Sequence, residues 1–138
     1  HYLDANYPAT DRLYPSSRDG RKTCDAWKER IDRDVAHRWL PVFRAVLKVR
    51  DGFTPEERQA FEDALHALDR ELGDRDTFVE GAPVCDLRVA VWASYALPSP
   101  ALIERVRLFR KFRDQFDVAP GSLPDLERAI APWIDLLG

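Results

Sequence analysis

The sequence predicts an all-α protein, with about five helices packed around one apolar central helix. Proline and glycine divide the 138 residues into long blocks, and in each block apolar residues recur every three or four positions. No segment alternates apolar and polar residues with the two-residue period of a strand. A chain of this length with 45% hydrophobic residues can bury a core, so one helical bundle accounts for the pattern.

The first long helix is predicted over Arg18 to Arg50, after an extended linker from Tyr7 to Ser17. The two prolines of the linker disfavour helix just before themselves. A serine at the end of the linker, Ser16 or Ser17, supplies a favoured N-cap. Asp51-Gly52 ends the helix.

One apolar stripe runs along this first helix at helical spacing. It consists of Cys24, Trp27, Ile31, Val35, Trp39, Val42 and Val46. Pro41 lies inside the helix, where it removes a backbone donor and crowds the preceding turn. We therefore expect a kink between His37 and Pro41.

The second helix has a complete start signal. Thr54 is the N-cap, Pro55 is a favoured first-turn residue, and Glu57 completes a capping box with Thr54. Gly73 is a natural stop. The predicted buried stripe is Phe61, Leu65, Leu68 and Leu72.

The third helix, from Pro83 to about Ala96, is predicted to be the central one. Its apolar residues are Val84, Leu87, Val89, Val91, Trp92 and Tyr95. They cover most of the circumference of the helix, which indicates burial on most sides. Pro98-Ser99-Pro100 breaks this helix and begins the next.

Two further helices are predicted after the central one. The first runs from Pro100 to Phe116, and a turn at Ala119–Gly121 precedes the second. The last helix begins at Ser122 or Asp125 and buries Leu123, Leu126, Ile130, Trp133 and Leu137. Pro132 is a second position at which a kink is expected.

Bulk composition excludes several classes of protein. A net charge of −3 argues against nucleic acid as a partner, and no apolar run reaches the roughly 20 residues that cross a bilayer. No secretory signal is visible, and two cysteines do not make a disulfide framework, so reduced thiols in the cytoplasm are expected. The histidines share no ligand spacing with the cysteines, so no metal site is predicted.

A set of short motifs points to a family. Phe78-Val79-Glu80-Gly81 leads into an apolar helix with Asp86 near its start. This order resembles the Phe-Leu-x-Gly loop and Ser/Thr-x-x-Asp helix start in the all-helical C-terminal domain of glutathione transferases. Tyr2–Pro8 and Leu13-Tyr14-Pro15 resemble the domain border and linker of that family, and Asp25-x-Trp27 resembles Asp-x-Trp on the first long helix of many bacterial members. The motifs occur in the family's order over essentially the whole chain.

The resemblance implies a division of the chain and of the chemistry. Residues 1–15 would be the end of a thioredoxin-like N-terminal domain with the interdomain linker, and residues 16–138 the helical domain. In this family the catalytic Tyr, Ser or Cys and most glutathione contacts belong to the thioredoxin-like domain, so no catalytic residue is assigned. Glutathione is expected as the co-substrate and a small electrophile as the second substrate. The resemblance also implies a homodimer. It further implies that the helical part is inactive without the thioredoxin-like domain.

Four residues of the first long helix are predicted to contact substrate. Trp27, Arg30, Asp34 and His37 form a strip at spacings of three and four, beside the core stripe. In relatives this helix faces the cleft between the domains. The alternative places Trp27 in the core and leaves the other three as solvated surface residues.

Asp86 is predicted to have a structural role at the start of the central helix. Aligning Asp86 to the family motif puts Pro83 where relatives have Ser or Thr, and proline can form neither bond of a reciprocal capping box. Asp86 can still favour the positive end of the helix and accept from backbone donors or from Thr77. Cys85 lies in the same turn, where the helix dipole favours a thiolate, but a buried apolar role is the simpler interpretation.

A non-catalytic interaction module is the alternative function. Similar helical domains hold together complexes of translation elongation factors and aminoacyl-tRNA synthetases, and Asp86–Trp92 is similar to the Ala-Asp-Leu-x-Val-Trp of synthetase versions. A basic stretch, Arg105, Arg107, Arg110, Lys111 and Arg113, would suit an RNA-associated setting, although an ordinary amphipathic surface has the same pattern. An unrelated helical bundle is the third possibility.

Overall fold

The computed structural model of the chain describes residues 13–137, and within that range it contains helices and no strand. The all-α class is confirmed for this range. The helices are α1 (Arg18–Ile31), α2 (His37–Val46), α3 (Pro55–Leu72), α4 (Pro83–Ala93), α5 (Pro100–Arg105), α6 (Leu108–Arg113) and α7 (Pro124–Leu137), with a π-helical segment, Asp32–Ala36, joining α1 to α2. The predicted border motif at Tyr2–Pro8 lies outside the described residues.

The described residues form seven α-helices where about five were predicted. The difference arises because two of the predicted helices are each divided in the structure. The first becomes α1, the π-helical segment and α2, and the predicted helix from Pro100 to Phe116 becomes α5 and α6.

The irregularity in the first long helix lies just before the interval in which a kink was predicted. In the π-helical segment the backbone N–H of His37 donates to the carbonyl of Asp32, five residues back. The α-helix then continues through Pro41 to Val46. The wide turn comes directly before the stretch in which Pro41 lacks a backbone donor.

Three helices end earlier than predicted, and one of them is the predicted Pro100–Phe116 helix, whose second half ends at Arg113. The first long helix ends at Val46 instead of Arg50, because Lys48 adopts a positive φ of 59° and the N–H of Val49 donates to the carbonyl of Arg44 at 2.8 Å. This closure satisfies carbonyl groups of the last turn. The central helix ends at Ala93 instead of Ala96 and is followed by a turn.

The chain between Pro100 and Phe116 is broken at Val106, which has extended backbone angles. Leu102 in α5 and Phe112 in α6 are both buried. In one continuous α-helix these two residues would point about 80° apart, because ten residues turn the helix by roughly 1000°. The break lets α6 turn its phenylalanines onto aromatic residues of α2 and onto Tyr95, which follows α4.

The predicted helix starts and stops are mostly confirmed. The Ser17 hydroxyl accepts from the N–H of Gly20 at 3.0 Å, and Thr54 and Glu57 form the reciprocal capping box. Gly73 ends α3 with a φ of 56°, a conformation that L-residues rarely adopt. The last helix begins at Pro124, one residue before Asp125.

Helix α4 is the helix that the sequence predicts to be central. It packs against α1 and α7, and each of its residues is buried or half-buried. The predicted stripes of the first helix and of α3 are confirmed as core, with Val46 half-buried at the end of its stripe. Helix α2, which follows the π-helical segment, packs against α3. The π-helical segment also contacts α3.

Candidate functional site

Two grooves flank the first long helix, one on either side of the π-helical segment. The first, here the α1–α3 groove, is lined by Arg30, Ile31, Asp34, Val35, Arg38, Ala64, Ala67, Leu68 and Glu71. The second, here the tryptophan groove, is lined by Asp32, Ala36, His37, Trp39, Leu40, Arg88 and Trp92. Their volumes are similar, about 290 Å³ and about 300 Å³. Volume therefore does not distinguish the two grooves as ligand sites, and the comparison depends on the chemistry of the residues that line them.

Three charged side chains of the α1–α3 groove are engaged in ion pairs, whereas Arg38 is exposed and forms no ion pair among the described residues. Arg30 on α1 donates to Glu71 on α3, and this ion pair spans the groove. Asp34 pairs with its neighbour Arg33 at 3.0 Å. This groove therefore carries charged groups but has no aromatic wall against which a ligand could pack.

The tryptophan groove combines aromatic walls with a charged rim, the usual composition of a small-molecule site. Trp39 and Leu40 come from α2 and Trp92 from α4, whereas Asp32 comes from the π-helical segment. The rings of Trp39 and Trp92 lie 5.0 Å apart at an angle of 56°. The groove is thus formed where the first long helix meets the central helix.

Arg88 and Asp32 form a two-point ion pair at the rim of the tryptophan groove. Arg88 Nε donates to Asp32 Oδ1 at 2.9 Å, and a terminal nitrogen donates to Oδ2 at 2.7 Å. The guanidinium carbon also lies 5.7 Å from the centre of the Trp92 ring, a cation–π arrangement. Both side chains remain about two-fifths exposed. Such a cation can exchange part of its contact with Asp32 for a ligand anion.

Trp39 is the hub of an aromatic cluster behind the groove. Its ring centre lies 4.3 Å from that of Phe43, 4.6 Å from Tyr95 and 6.1 Å from Phe112. Burial in this cluster raises the pKa of the Tyr95 hydroxyl. The cluster fixes the orientation of Trp39 and so fixes one wall of the groove.

The indole N–H groups of Trp39 and Trp92 are buried and have no hydrogen-bond partner among the described residues. A buried donor without a partner lowers stability by about 1–3 kcal/mol relative to a satisfied one. The two donors lower the stability of the fold, and the packing of the aromatic cluster offsets this loss.

The four residues predicted to contact substrate do not converge on one site. Trp27 is buried and packs on Phe78, with ring centres 5.2 Å apart. Arg30 and Asp34 line the α1–α3 groove, whereas His37 is exposed and lines the tryptophan groove. A strip at spacings of three and four assumes an uninterrupted α-helix. The π-helical turn between Asp34 and His37 rotates His37 to another side.

Asp86 is 2% exposed and lies in the first turns of α4. Its Oδ1 accepts from the backbone N–H of Phe78 at 2.9 Å, so the carboxylate fixes the preceding loop. Burial raises the pKa of Asp86, and the hydrogen bond from Phe78 lowers it by less. The N-cap position is Ala82, without a side-chain cap, and Pro83 is the first helical residue, where proline is favoured.

Of the residues that line the tryptophan groove, sequence reasoning chose only His37 as a site residue. It missed the wall residues Trp39, Leu40 and Trp92 and the charged pair Asp32 and Arg88. One signal was available, since Arg88 interrupts a helix that is otherwise apolar over most of its circumference. A cation in such a position needs a partner or a route to water. Asp32 could not be chosen from the sequence, because it is 56 residues away from Arg88.

Among residues 13–137 no group of three or more His, Cys, Asp and Glu residues has a metal-binding arrangement. No helix within that range is long and apolar enough to cross a membrane. Comparisons with protein-family models, with curated proteins and with solved structures found no match to this chain. The functional argument therefore depends on the residues themselves.

Proposed function

We propose that this chain is the helical, pocket-forming part of a glutathione transferase-like protein, and that the tryptophan groove holds the electrophilic substrate. The observation that carries the proposal is the groove itself. Two tryptophans and Leu40 supply an apolar wall, and Arg88 supplies an orienting cation. An aromatic molecule with an anionic or strongly polar substituent fits this chemistry.

The proposed division of labour follows the resemblance of the motifs. A thioredoxin-like domain would bind glutathione and supply the residue that activates its thiol. The helical domain would hold the apolar part of the second substrate and exclude water from it. The complete protein would act as a homodimer. Because the comparisons found no match, this proposal is supported by the ordered motifs and by the groove.

The loop before the central helix supports the proposal independently of the groove. Phe78 and Gly81 belong to the motif that resembles the family's loop, and Gly81 adopts a φ of 69°. Asp86, the aspartate of the same motif, accepts from the N–H of Phe78. The aspartate and the loop that carry the resemblance are therefore in direct contact.

The groove can be tested with anilinonaphthalene sulfonate, an aromatic sulfonate whose fluorescence rises in apolar sites. We expect Arg88→Ala to weaken its binding by about threefold to tenfold, because the sulfonate loses its cation. Asp32→Asn is expected to tighten binding, since it releases Arg88 from its ion pair. Fluorescence titration of the purified chain measures both changes.

Arg30→Ala is the matched control, because it removes an ion-paired arginine from the α1–α3 groove instead. Binding of the probe should be unchanged in this variant. Equal weakening by Arg30→Ala and Arg88→Ala, or no change with Arg88→Ala, would contradict the assignment of the groove. Retention of the chain on glutathione-agarose tests the division of labour: the proposal expects none without a thioredoxin-like domain and retention with one.

The alternative, an interaction module, is favoured by the surface of α6. Arg107, Arg110, Lys111 and Arg113 are exposed, and none forms an ion pair in the part of the chain that the structure describes. Exposed Val106 and Leu108 lie beside them. Unpaired cations next to exposed apolar residues suit an acidic partner.

Retention on immobilised heparin, a polyanion, tests the α6 surface. We expect the double variant Arg107→Glu with Arg110→Glu to elute at clearly lower salt than the native chain, because polyanion binding scales with the number of cations engaged. A double variant with the same charge change elsewhere, Arg18→Glu with Arg33→Glu, is the control. Equal shifts for the two variants would show a general effect of net charge and would remove the argument for a module.

A further inference from the structure

The structure brings together the two cysteines that the sequence separates by 61 residues. Cys24 lies on α1 and Cys85 in the first turn of α4, and both are fully buried. Their sulfur atoms are 3.3 Å apart, with one thiol donating to the other. Reduced thiols were expected, because two cysteines do not make a disulfide framework.

The two thiols are close to the geometry of a covalent bond. A disulfide has an S–S distance of about 2.05 Å, so the sulfur atoms need to approach by only about 1.2 Å. Helices α1 and α4 already pack against each other, and no loop has to be rearranged to bring the cysteines together. Rotation about the side-chain bonds and a small shift of the helices can supply the remaining approach.

We propose that Cys24 and Cys85 are an oxidative modification site, at which hydrogen peroxide oxidises the two thiols to an intramolecular disulfide that links α1 to α4. One sulfur, as the thiolate, attacks an oxygen of the peroxide; the O–O bond breaks, the sulfur becomes a sulfenic acid, and the hydroxide that leaves takes up the thiol proton to become water. The second thiol then attacks the sulfenic sulfur, and its S–O bond breaks to release the second water. In total, two thiols lose two hydrogen atoms and two electrons to one hydrogen peroxide, which is reduced to two waters.

Because the two thiols are buried, the disulfide between them forms slowly. Burial raises the pKa of the Cys85 thiol, and Cys24 and Asp86 act in the same direction, while Lys28 acts weakly against them. The thiolate is the reactive form, so attack on the peroxide is slower than at an exposed cysteine. A hydroperoxide is small enough to reach a buried pair when the helices open briefly, whereas a disulfide such as oxidised glutathione is much larger.

The bridge would strengthen the bundle against unfolding. It would close a loop of 61 residues between the first helix and the central helix. Closing a loop of this length restricts the unfolded chain strongly, which corresponds to a rise in Tm of roughly 10 °C. The bond requires neither a ligand nor glutathione, so it is independent of the proposed function.

Mass measurement of the whole chain tests the proposal. The reduced protein is incubated with hydrogen peroxide under native conditions and is then unfolded in the presence of N-ethylmaleimide. The mass of the intact chain is measured by mass spectrometry. We expect a species lighter by two hydrogen atoms that carries no maleimide, has a higher Tm and returns to two labelled thiols after treatment with dithiothreitol. In Cys24→Ala and Cys85→Ala the lighter species should be absent.

Three outcomes would overturn the proposal. The first is full maleimide labelling of both cysteines after an exposure that oxidises a cysteine-containing peptide. The second is a bridge that forms between molecules, or within the chain only after denaturation. The third is an intramolecular bridge that lowers Tm, because a bond that strains α1 against α4 is not one that the native packing prepares. The measurement on the native sequence decides the matter even if a cysteine variant fails to fold.

Discussion

Replacement of Trp39 by alanine is expected to lower the free energy of unfolding by about 3–5 kcal/mol, the range for truncation of a large buried aromatic residue. Trp39 is 7% exposed and contacts the rings of Phe43, Trp92, Tyr95 and Phe112. Its loss would leave a cavity at the junction of α2, α4 and α6. Urea unfolding followed by far-UV circular dichroism measures the change without relying on tryptophan fluorescence.

Trp39→Phe is the matched variant, because it keeps a ring in the cluster and removes the indole N–H that has no partner among the described residues. The smaller ring leaves some space, while the removal of an unsatisfied donor offsets part of that loss. We therefore expect a decrease below about 2 kcal/mol. If Trp39→Phe destabilises the protein as much as Trp39→Ala, the stacking contacts do not hold the cluster together.

Replacement of Asp86 by alanine is expected to lower the free energy of unfolding by about 1–3 kcal/mol at neutral pH. The variant leaves the buried N–H of Phe78 without its acceptor. It also frees the loop that seats Phe78 on Trp27. Asp86→Asn keeps a carbonyl oxygen in the same place and should be less destabilising. An Asp86→Ala variant as stable as the native chain would reject the anchoring role.

The pH dependence of Asp86 has a definite sign. Because burial raises its pKa above the usual 3.8, the folded state binds this proton more tightly than the unfolded chain. The stability that the protonated Asp86 side chain contributes is complete below pH 3.8 and is lost as the pH rises through the raised pKa. An asparagine side chain does not titrate, so the stability of the Asp86→Asn variant relative to the native chain should improve from about pH 3 to pH 7. A relative stability that falls over this interval would contradict the raised pKa.

The helical class, the caps and most of the core were predictable because they depend on local pattern. Ser17, Thr54 and Gly73 act within a few residues of their own positions, and their signals are short and strong. The stripe of α3 is regular and was placed without error. The identity of the bundle as a glutathione transferase domain stays a prediction.

The division of the first long helix had a signal that depends on careful counting. Trp27, Ile31, Val35 and Trp39 are separated by three steps of four, and all are buried. Twelve residues of an α-helix turn by about 1200°, which would carry Trp39 some 120° away from Trp27. A wider turn brings the two back to one side, and the structure places such a turn at Asp32–Ala36. The break at Val106 has no comparable signal, since no proline or glycine marks it.

The candidate site was less predictable than the fold, because its residues meet only in three dimensions. His37 was chosen from the sequence and lines the tryptophan groove. Arg30 and Asp34 were chosen on the same spacing and lie in the other groove, because the wide turn changes the register. The pairing of Arg88 with Asp32 depends on how α4 packs, which spacing within one helix does not reveal.

Because of the π-helical segment, the first long helix can change its length by one residue without changing the orientation of its two halves. A π turn is an α turn with one residue inserted. Loss of a residue within Asp32–Ala36 would therefore leave an ordinary α turn, and α1 and α2 would keep the same sides toward the core. The same loss inside α1 or α2 would rotate everything beyond it by about 100° and pull the buried stripe out of the core. This short segment is therefore the place where evolution, or an engineer, can shorten the helix without repacking the bundle.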